Sequence, residues 1–109
     1  MDGEIPKELL ASYYASIPEK LALLRQLINN YKEKQGIEEL KAFRFVLHKL
    51  EGSAAVYGFT EVSKICHEAN AATMKWETSS SEFMTTQIIN GLEFFYERIE
   101  KNFTPPISL

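Results

Sequence analysis

The segment Leu47–Phe59, LHKLEGSAAVYGF, contains a histidine four residues before a glycine, within a pattern typical of an amphipathic helix. Histidine is the side chain whose unperturbed pKa lies closest to neutral pH, so its neutral imidazole is available as a nucleophile. Glycine in a helix interior costs about 1 kcal/mol relative to alanine. The pairing of His48 with Gly52, one turn apart, indicates that space beside the imidazole is left open.

Other combinations of reactive residues point less clearly to chemistry. Cys66 and His67 are adjacent, and neighbouring side chains on a helix diverge by about 100°, so they cannot act as a nucleophile–base pair. His48, His67 and Glu68 show no recognised zinc spacing. We therefore expect Cys66 in the core, His67 on the surface and no metal site.

The elements that must position His48 are all predicted to be helices. A short helix over about 5–14 is followed by helices over about 17–35, 37–57, 60–76 and 80–102, and by a tail over 103–109. Apolar residues recur in each at spacings of three and four, and no convincing strand pattern occurs. The pattern predicts one domain over 1–109, an all-α antiparallel up-down four-helix bundle with a short N-terminal capping helix.

Polar residues, glycines and prolines predict where these helices begin and end. Pro6 suits the first turn of the first helix. Two serines stand three residues before a glutamate, the spacing of a capping box: Ser16 with Glu19 and Ser79 with Glu82. Thr60 is predicted to cap the fourth helix. The residues predicted to stop helices are Gly36 and Gly58.

One side of the helix over 37–57 is predicted to be buried, through the stripe Leu40, Phe43, Leu47, Leu50, Ala54 and Tyr57. At about 100° per residue the centre of this stripe lies roughly opposite His48, which therefore points away from the core. The face of His48 is shared by Lys41, Arg44, Phe45, Glu51, Gly52 and Ala55. Phe45, Ala55 and Val56 form an apolar rim, so this face is predicted to be a docking surface around a nucleophile.

Stripes of apolar residues also predict the buried sides of the last two helices. They comprise Val62, Ile65, Cys66, Ala69 and Ala72 in one helix, and Met84, Ile88, Leu92, Phe95 and Ile99 in the other. Trp76 is predicted to cover an end of the core.

Composition excludes several classes of function. The chain has 12 basic and 15 acidic residues, a net charge of −3, and so lacks the basic excess that a nucleic-acid partner requires. No apolar run approaches the ~20 residues of a membrane span. The acidic N-terminus is unlike a secretory signal, and the single cysteine fits a reducing compartment. We expect a cytoplasmic protein with no nucleic-acid or membrane partner.

The segment HKLEGSAAVYGF resembles the signature of histidine-phosphotransfer (HPt) domains, the phosphoryl carriers of multistep two-component phosphorelays. The matching positions are His48, Leu50, Gly52, Ser53, Ala54 and Gly58. SIPEKLALLRQLI is similar to the helix that precedes the histidine helix in this family, and EVSKICHEANAA to the helix that follows it. The resemblance covers the whole chain and implies a four-helix bundle.

The resemblance also implies a function. His48 would accept a phosphoryl group from the phospho-aspartate of a receiver domain and pass it to another receiver. The supporting or docking residues would be Lys41, Arg44, Phe45, Lys49, Glu51, Gly52 and Ala55. The partners implied are response-regulator receiver domains and a hybrid sensor histidine kinase. The chain would be a monomer without a cofactor of its own, and the receiver would supply Mg²⁺. No P-loop pattern or nucleotide-binding lobe is present, which predicts a phosphoryl carrier without ATP-dependent kinase activity.

Glu51 departs from the family's pattern, in which lysine or alanine often stands three residues after the histidine. A carboxylate on the face of His48 would repel a phosphoryl group that carries roughly 1.5–2 negative charges. Lys41, Arg44 and Lys49 are expected to offset this repulsion. The alternative function is a helical-bundle interaction module that binds receiver domains without efficient phosphotransfer.

Overall fold

A computed structural model describes residues 4–79 and 82–106 of the chain, and five helices account for most of them. They are α1 (Lys7–Ala15), α2 (Ile17–Lys34), α3 (Ile37–Val56), α4 (Thr60–Thr78) and α5 (Thr85–Asn102). The described residues contain no strand. The prediction of an all-α fold is confirmed. Within the same segments, no helix is both long and apolar enough to span a membrane.

Helices α2 to α5 surround one hydrophobic core. Each packs against the next along the chain, and α5 also packs against α2, which closes the ring, while α1 lies against α2. The predicted stripe of α3 is buried at Leu40, Phe43, Leu47, Leu50 and Ala54. Burial of this stripe determines the rotation of α3 about its axis and therefore places His48 on the exposed side.

The stripes of the last two helices differ from the prediction at three positions. In the middle of α5, Tyr96 is buried and Phe95 is only partly buried. Met84 was expected in the core, but it lies before α5 and is exposed. In α4 the buried position beyond Ala69 is Thr73 instead of Ala72. Burial of Thr73 is tolerated because its hydroxyl donates to the backbone carbonyl of Ala69 at 2.8 Å.

The first predicted capping box is wrong. Ser16 is the single residue between α1 and α2, and its backbone N–H is still hydrogen-bonded to the carbonyls of α1. Ser16 consequently keeps near-helical dihedral angles, φ −86° and ψ −7°, and makes no side-chain cap. Its hydroxyl instead donates to the carbonyl of Tyr13 at 2.6 Å.

The helix starts predicted at Thr60 and near residue 80 are also corrected. Thr60 is the first residue of α4 and makes no cap, because buried Phe59 occupies the preceding position. Ser79 follows the end of α4, whereas α5 begins only at Thr85. The side chain of Gln87 accepts the backbone N–H of Met84 at 2.9 Å, which is the contact that had been expected of Glu82. Residues 80 and 81 lie outside the described residues.

One of the two predicted glycine stops is correct. Gly58 has φ +89° in the turn after α3, a conformation that glycine adopts without strain. At the end of α2, however, the left-handed residue is Gln35, with φ 53°. Gly36 is the N-cap residue of α3, and its N–H donates to the carboxylate of Glu39 at 3.1 Å.

Aromatic rings attach α1 and the C-terminal segment to one end of the bundle. Tyr13 stacks on Tyr57 with ring centroids 4.1 Å apart, and it also contacts Phe59 and Phe103. The hydroxyls of Tyr13 and Ser53 are hydrogen-bonded at 2.8 Å. Burial raises the pKa of the Tyr13 hydroxyl. Because Ser53 follows Gly52 on α3, this cluster fixes the helix one turn beyond His48.

Polar and aromatic contacts of α5 fix it against its two neighbours. Glu93 accepts hydrogen bonds from Arg25 at 2.8 Å and forms a salt bridge with Lys32, both on α2. These two cations lower the pKa of Glu93 to about 2. On the side of α4, the indole of Trp76 packs against Gly91, where a Cβ atom would lie only 2.5 Å from the ring.

Candidate functional site

His48 lies in the middle of α3 with its side chain exposed. It lines an open groove together with Glu38, Lys41, Ala42, Arg44 and Phe45. The prediction that the imidazole points away from the core is confirmed. An exposed imidazole on a helix fixed by its buried stripe is accessible to a second protein without any rearrangement of the bundle.

The apolar rim expected beside His48 is present. Phe45 is 65% exposed and Val56 is 64% exposed, while Ala55 is also exposed. The ammonium group of Lys49 lies 5.3 Å from the centroid of the Phe45 ring, the geometry of a cation–π contact. Lys49 is thus held over the aromatic part of the rim. The surface combines apolar area with positive charge next to the nucleophile.

Open space surrounds Gly52. A Cβ atom built on this residue would meet no heavy atom within 4 Å, and the residue itself is exposed. Close packing against another helix therefore does not explain the glycine. Its effect is to leave a gap in the surface one turn beyond His48.

The two cations before His48 on α3 have different surroundings. Lys41 is exposed, and its nearest acidic partner is Glu38 at 3.8 Å, at the limit of an ion pair. Arg44 instead donates two hydrogen bonds to Glu77 of α4, at 2.5 and 3.2 Å. The Glu77 carboxylate raises the pKa of Arg44. The expectation that Arg44 offsets the charge of Glu51 is corrected, because its guanidinium is already paired.

Glu51 is held by α4. Its carboxylate accepts a hydrogen bond from Nδ1–H of His67 at 3.0 Å, and its backbone carbonyl accepts one from the Ser63 hydroxyl at 2.8 Å. The expectation that this carboxylate faces a phosphoryl group on His48 does not agree with these contacts. His67 is on the surface, as predicted, and Cys66 is fully buried. Burial raises the pKa of the Cys66 thiol to about 12, which suits a core residue and not a nucleophile.

Three residues of α4 that reach the site were not predicted from the sequence: Glu77, Ser63 and His67. Each contact joins residues 12 to 33 positions apart in the chain. Helical periodicity assigns a residue to a face of its own helix but does not say which residue of another helix it meets. Among the described residues, no group of three or more His, Cys, Asp or Glu side chains is arranged to hold a metal ion.

Comparison with protein families agrees with this architecture. A family model described as "Hpt domain" matches residues 8–93, from α1 into α5. The chain belongs to the Hpt domain family. No curated protein and no solved structure gives a significant match to it.

Membership in the Hpt family assigns the general role of the chain. It is a histidine-phosphotransfer module of two-component phosphorelay signalling, and it interacts with response-regulator receiver domains. Hpt domains are phosphocarriers and not kinases.

Proposed function

We propose that this Hpt domain accepts a phosphoryl group on His48 from a receiver-domain phospho-aspartate and passes it to another receiver in a multistep phosphorelay. The observation that carries the proposal is the exposed imidazole in the middle of α3, next to the open space at Gly52. The second histidine, His67, is hydrogen-bonded to Glu51 through Nδ1 and lies on another helix.

In the proposed transfer, an imidazole nitrogen of His48 attacks the phosphorus atom of the receiver's aspartyl phosphate. The N–P bond forms as the P–O bond to the aspartate breaks, and the carboxylate leaves. The reverse reaction with a second receiver breaks the N–P bond and regenerates the imidazole. Such reactions depend mainly on positioning and charge stabilisation. The receiver supplies Mg²⁺ in this scheme, and the Hpt chain supplies the nucleophile and no cofactor.

The surface around His48 supports docking of a receiver. Phe45, Ala55 and Val56 provide apolar area, and Lys41 and Lys49 provide positive charge beside it. Gly52 leaves room for the acidic loops that carry the phospho-aspartate. The partners proposed are response-regulator receivers and the receiver of a hybrid sensor histidine kinase, which would meet a cytoplasmic, monomeric carrier.

The proposal includes a more detailed arrangement of the fold. Short connections join α2 to α3 and α3 to α4, and α5 packs against both α2 and α4. We infer an antiparallel up-down bundle in a single domain, because short connections favour antiparallel neighbours. The contacts of Tyr13 with Tyr57 and Phe59 support α1 as a cap on one end of the bundle.

Incubation with a phosphorylated receiver domain tests the carrier function. The chain is expected to gain an acid-labile, base-stable label and to transfer this label to a second, unphosphorylated receiver. Incubation with ATP and Mg²⁺ alone is the matched control and should give no label. A chain that binds receivers but gains no label would be an interaction module, and the proposal would be wrong.

A further inference from the structure

Glu51 and His48 are neighbours on the surface of α3. Residues three apart on a helix project from adjacent positions on one face. An extended Glu51 side chain would bring its carboxylate toward the imidazole of His48. In the structure, however, only 29% of the Glu51 side chain is exposed, because it is turned toward α4.

Two residues of α4, one turn apart, hold Glu51 in this position. The Ser63 hydroxyl donates to its backbone carbonyl at 2.8 Å, which ties the two helices together at this level. Four residues later, His67 donates from Nδ1 to the carboxylate at 3.0 Å. The hydroxyl thus fixes the main chain, and the imidazole decides the direction of the side chain.

We propose that His67 is a positioning residue for phosphotransfer, which holds the Glu51 carboxylate on the α4 side and away from the phosphoryl group on His48. This inference rests on the proposed function of His48. Without His67, the carboxylate would be released to solvent on the face where the phosphoryl group forms. Repulsion between the two groups would then oppose formation of phosphohistidine and favour its loss.

The other charged residues near Glu51 do not replace His67. Lys64 and Glu68 line the same groove as Glu51 and His67. Glu68 is paired with Arg98 of α5 at 3.0 Å and, being acidic, cannot bind a carboxylate. Lys64 lies one turn before Glu68 with an exposed side chain. Its ammonium group forms no ion pair with Glu51 in the described structure, so Lys64 does not hold the carboxylate in place of His67.

Variants of His67 and Glu51 test the inference, with phosphoramidate as a small phosphoryl donor to His48. His67→Ala is expected to shorten the lifetime of phosphohistidine roughly two- to five-fold at low salt, the range of an exposed charge interaction. Added salt should weaken this effect. His67→Gln, whose amide can still donate to Glu51, should stay close to the unmodified chain. In the Glu51→Gln background, His67→Ala should have no effect, because the charge is already absent.

Two outcomes would overturn the inference. One is an unchanged lifetime in His67→Ala. The other is that His67→Ala shortens the phosphohistidine lifetime equally in the Glu51→Gln background, which would mean that His67 does not act through Glu51. Because the His67 side chain is 75% exposed, its replacement leaves the core intact. Thermal unfolding of each variant checks this point.

NMR of the unphosphorylated chain separates failure of this inference from failure of the proposed function. Glu51→Gln should leave the His48 ring resonances nearly unchanged when His67 is present and shift them in the His67→Ala background. That result would support the positioning role even if His48 accepted no phosphate. A clear shift in the presence of His67 would show that the carboxylate already faces His48, and the inference would be wrong.

Discussion

Arg44 and Lys41 are both cations on the side of α3 that carries His48, but the structure gives them different roles. The guanidinium of Arg44 is bound to Glu77, whose side chain is only 9% exposed. Lys41 is exposed and loosely paired. Arg44 therefore joins α3 to α4, and we propose that Lys41, whose side chain is exposed, is available to a phosphoryl group on His48.

This difference predicts opposite effects of two matched substitutions. Arg44→Gln should lower the free energy of unfolding by about 1 kcal/mol, because the mostly buried Glu77 loses its charged partner, and should leave the phosphohistidine lifetime unchanged. Lys41→Gln should leave stability unchanged and shorten that lifetime at low salt. Urea unfolding and the decay of label measure the two effects. A shorter lifetime in Arg44→Gln than in Lys41→Gln would mean that the guanidinium leaves Glu77 for the phosphoryl group.

At the residue scale, periodicity was enough to predict that His48 is exposed and that Cys66 is buried. It did not predict that Arg44 pairs with Glu77, 33 residues further along the chain. Nor did it predict the contact between Glu51 and His67. Such pairs depend on which turn of α3 lies beside which turn of α4, and a single sequence carries no direct record of that alignment.

At the scale of the helix, two glycines lie in opposite surroundings. Gly52 of α3 is bordered by open space, whereas Gly91 of α5 lies under the indole of Trp76. Both are inside helices, where alanine is intrinsically more stable by up to about 1 kcal/mol. We propose that the first glycine gives a partner access to His48, whereas the second permits the packing of α4 against α5.

The same substitution should therefore have opposite effects at these two positions. Gly52→Ala is expected to keep or raise the melting temperature, and Gly52→Gln to keep the fold, while the rate of transfer from a receiver falls with side-chain size. Gly91→Ala should lower the melting temperature, because the new Cβ would lie 2.5 Å from a rigid ring. Thermal unfolding and transfer rates test both. If transfer stayed constant along the Gly52 series, the docking explanation would fail.

The ends of the helices were predicted less well than their buried sides. The buried stripe of α3 was predicted correctly, since five of its six residues lie in the core. The predicted capping boxes failed because a serine before a glutamate does not by itself start a helix. The backbone N–H of Ser16 is still hydrogen-bonded to carbonyls of α1. At the start of α5, the capping contact is made by Gln87.

For the whole molecule, the repeated spacing of apolar residues was sufficient to predict an all-helical chain, and the motif around His48 indicated the Hpt family. His48 and Gly52 of this motif lie on one surface of the structure. The exposed histidine, the apolar rim and the open space at Gly52 lie together on α3. What the sequence could not show is how α4 supports that surface through Ser63, His67 and Glu77. These contacts hold the face of α3 that carries His48.

The most direct test of the account is the location of the phosphoryl group. After transfer from a phosphorylated receiver, His48→Gln should carry no acid-labile label, while its helical content and melting temperature stay unchanged because the side chain is exposed. The matched variant, His67→Gln, should still accept the label. Labelling that persists in His48→Gln, or that disappears only in His67→Gln, would contradict the assignment of His48 as the phosphoacceptor.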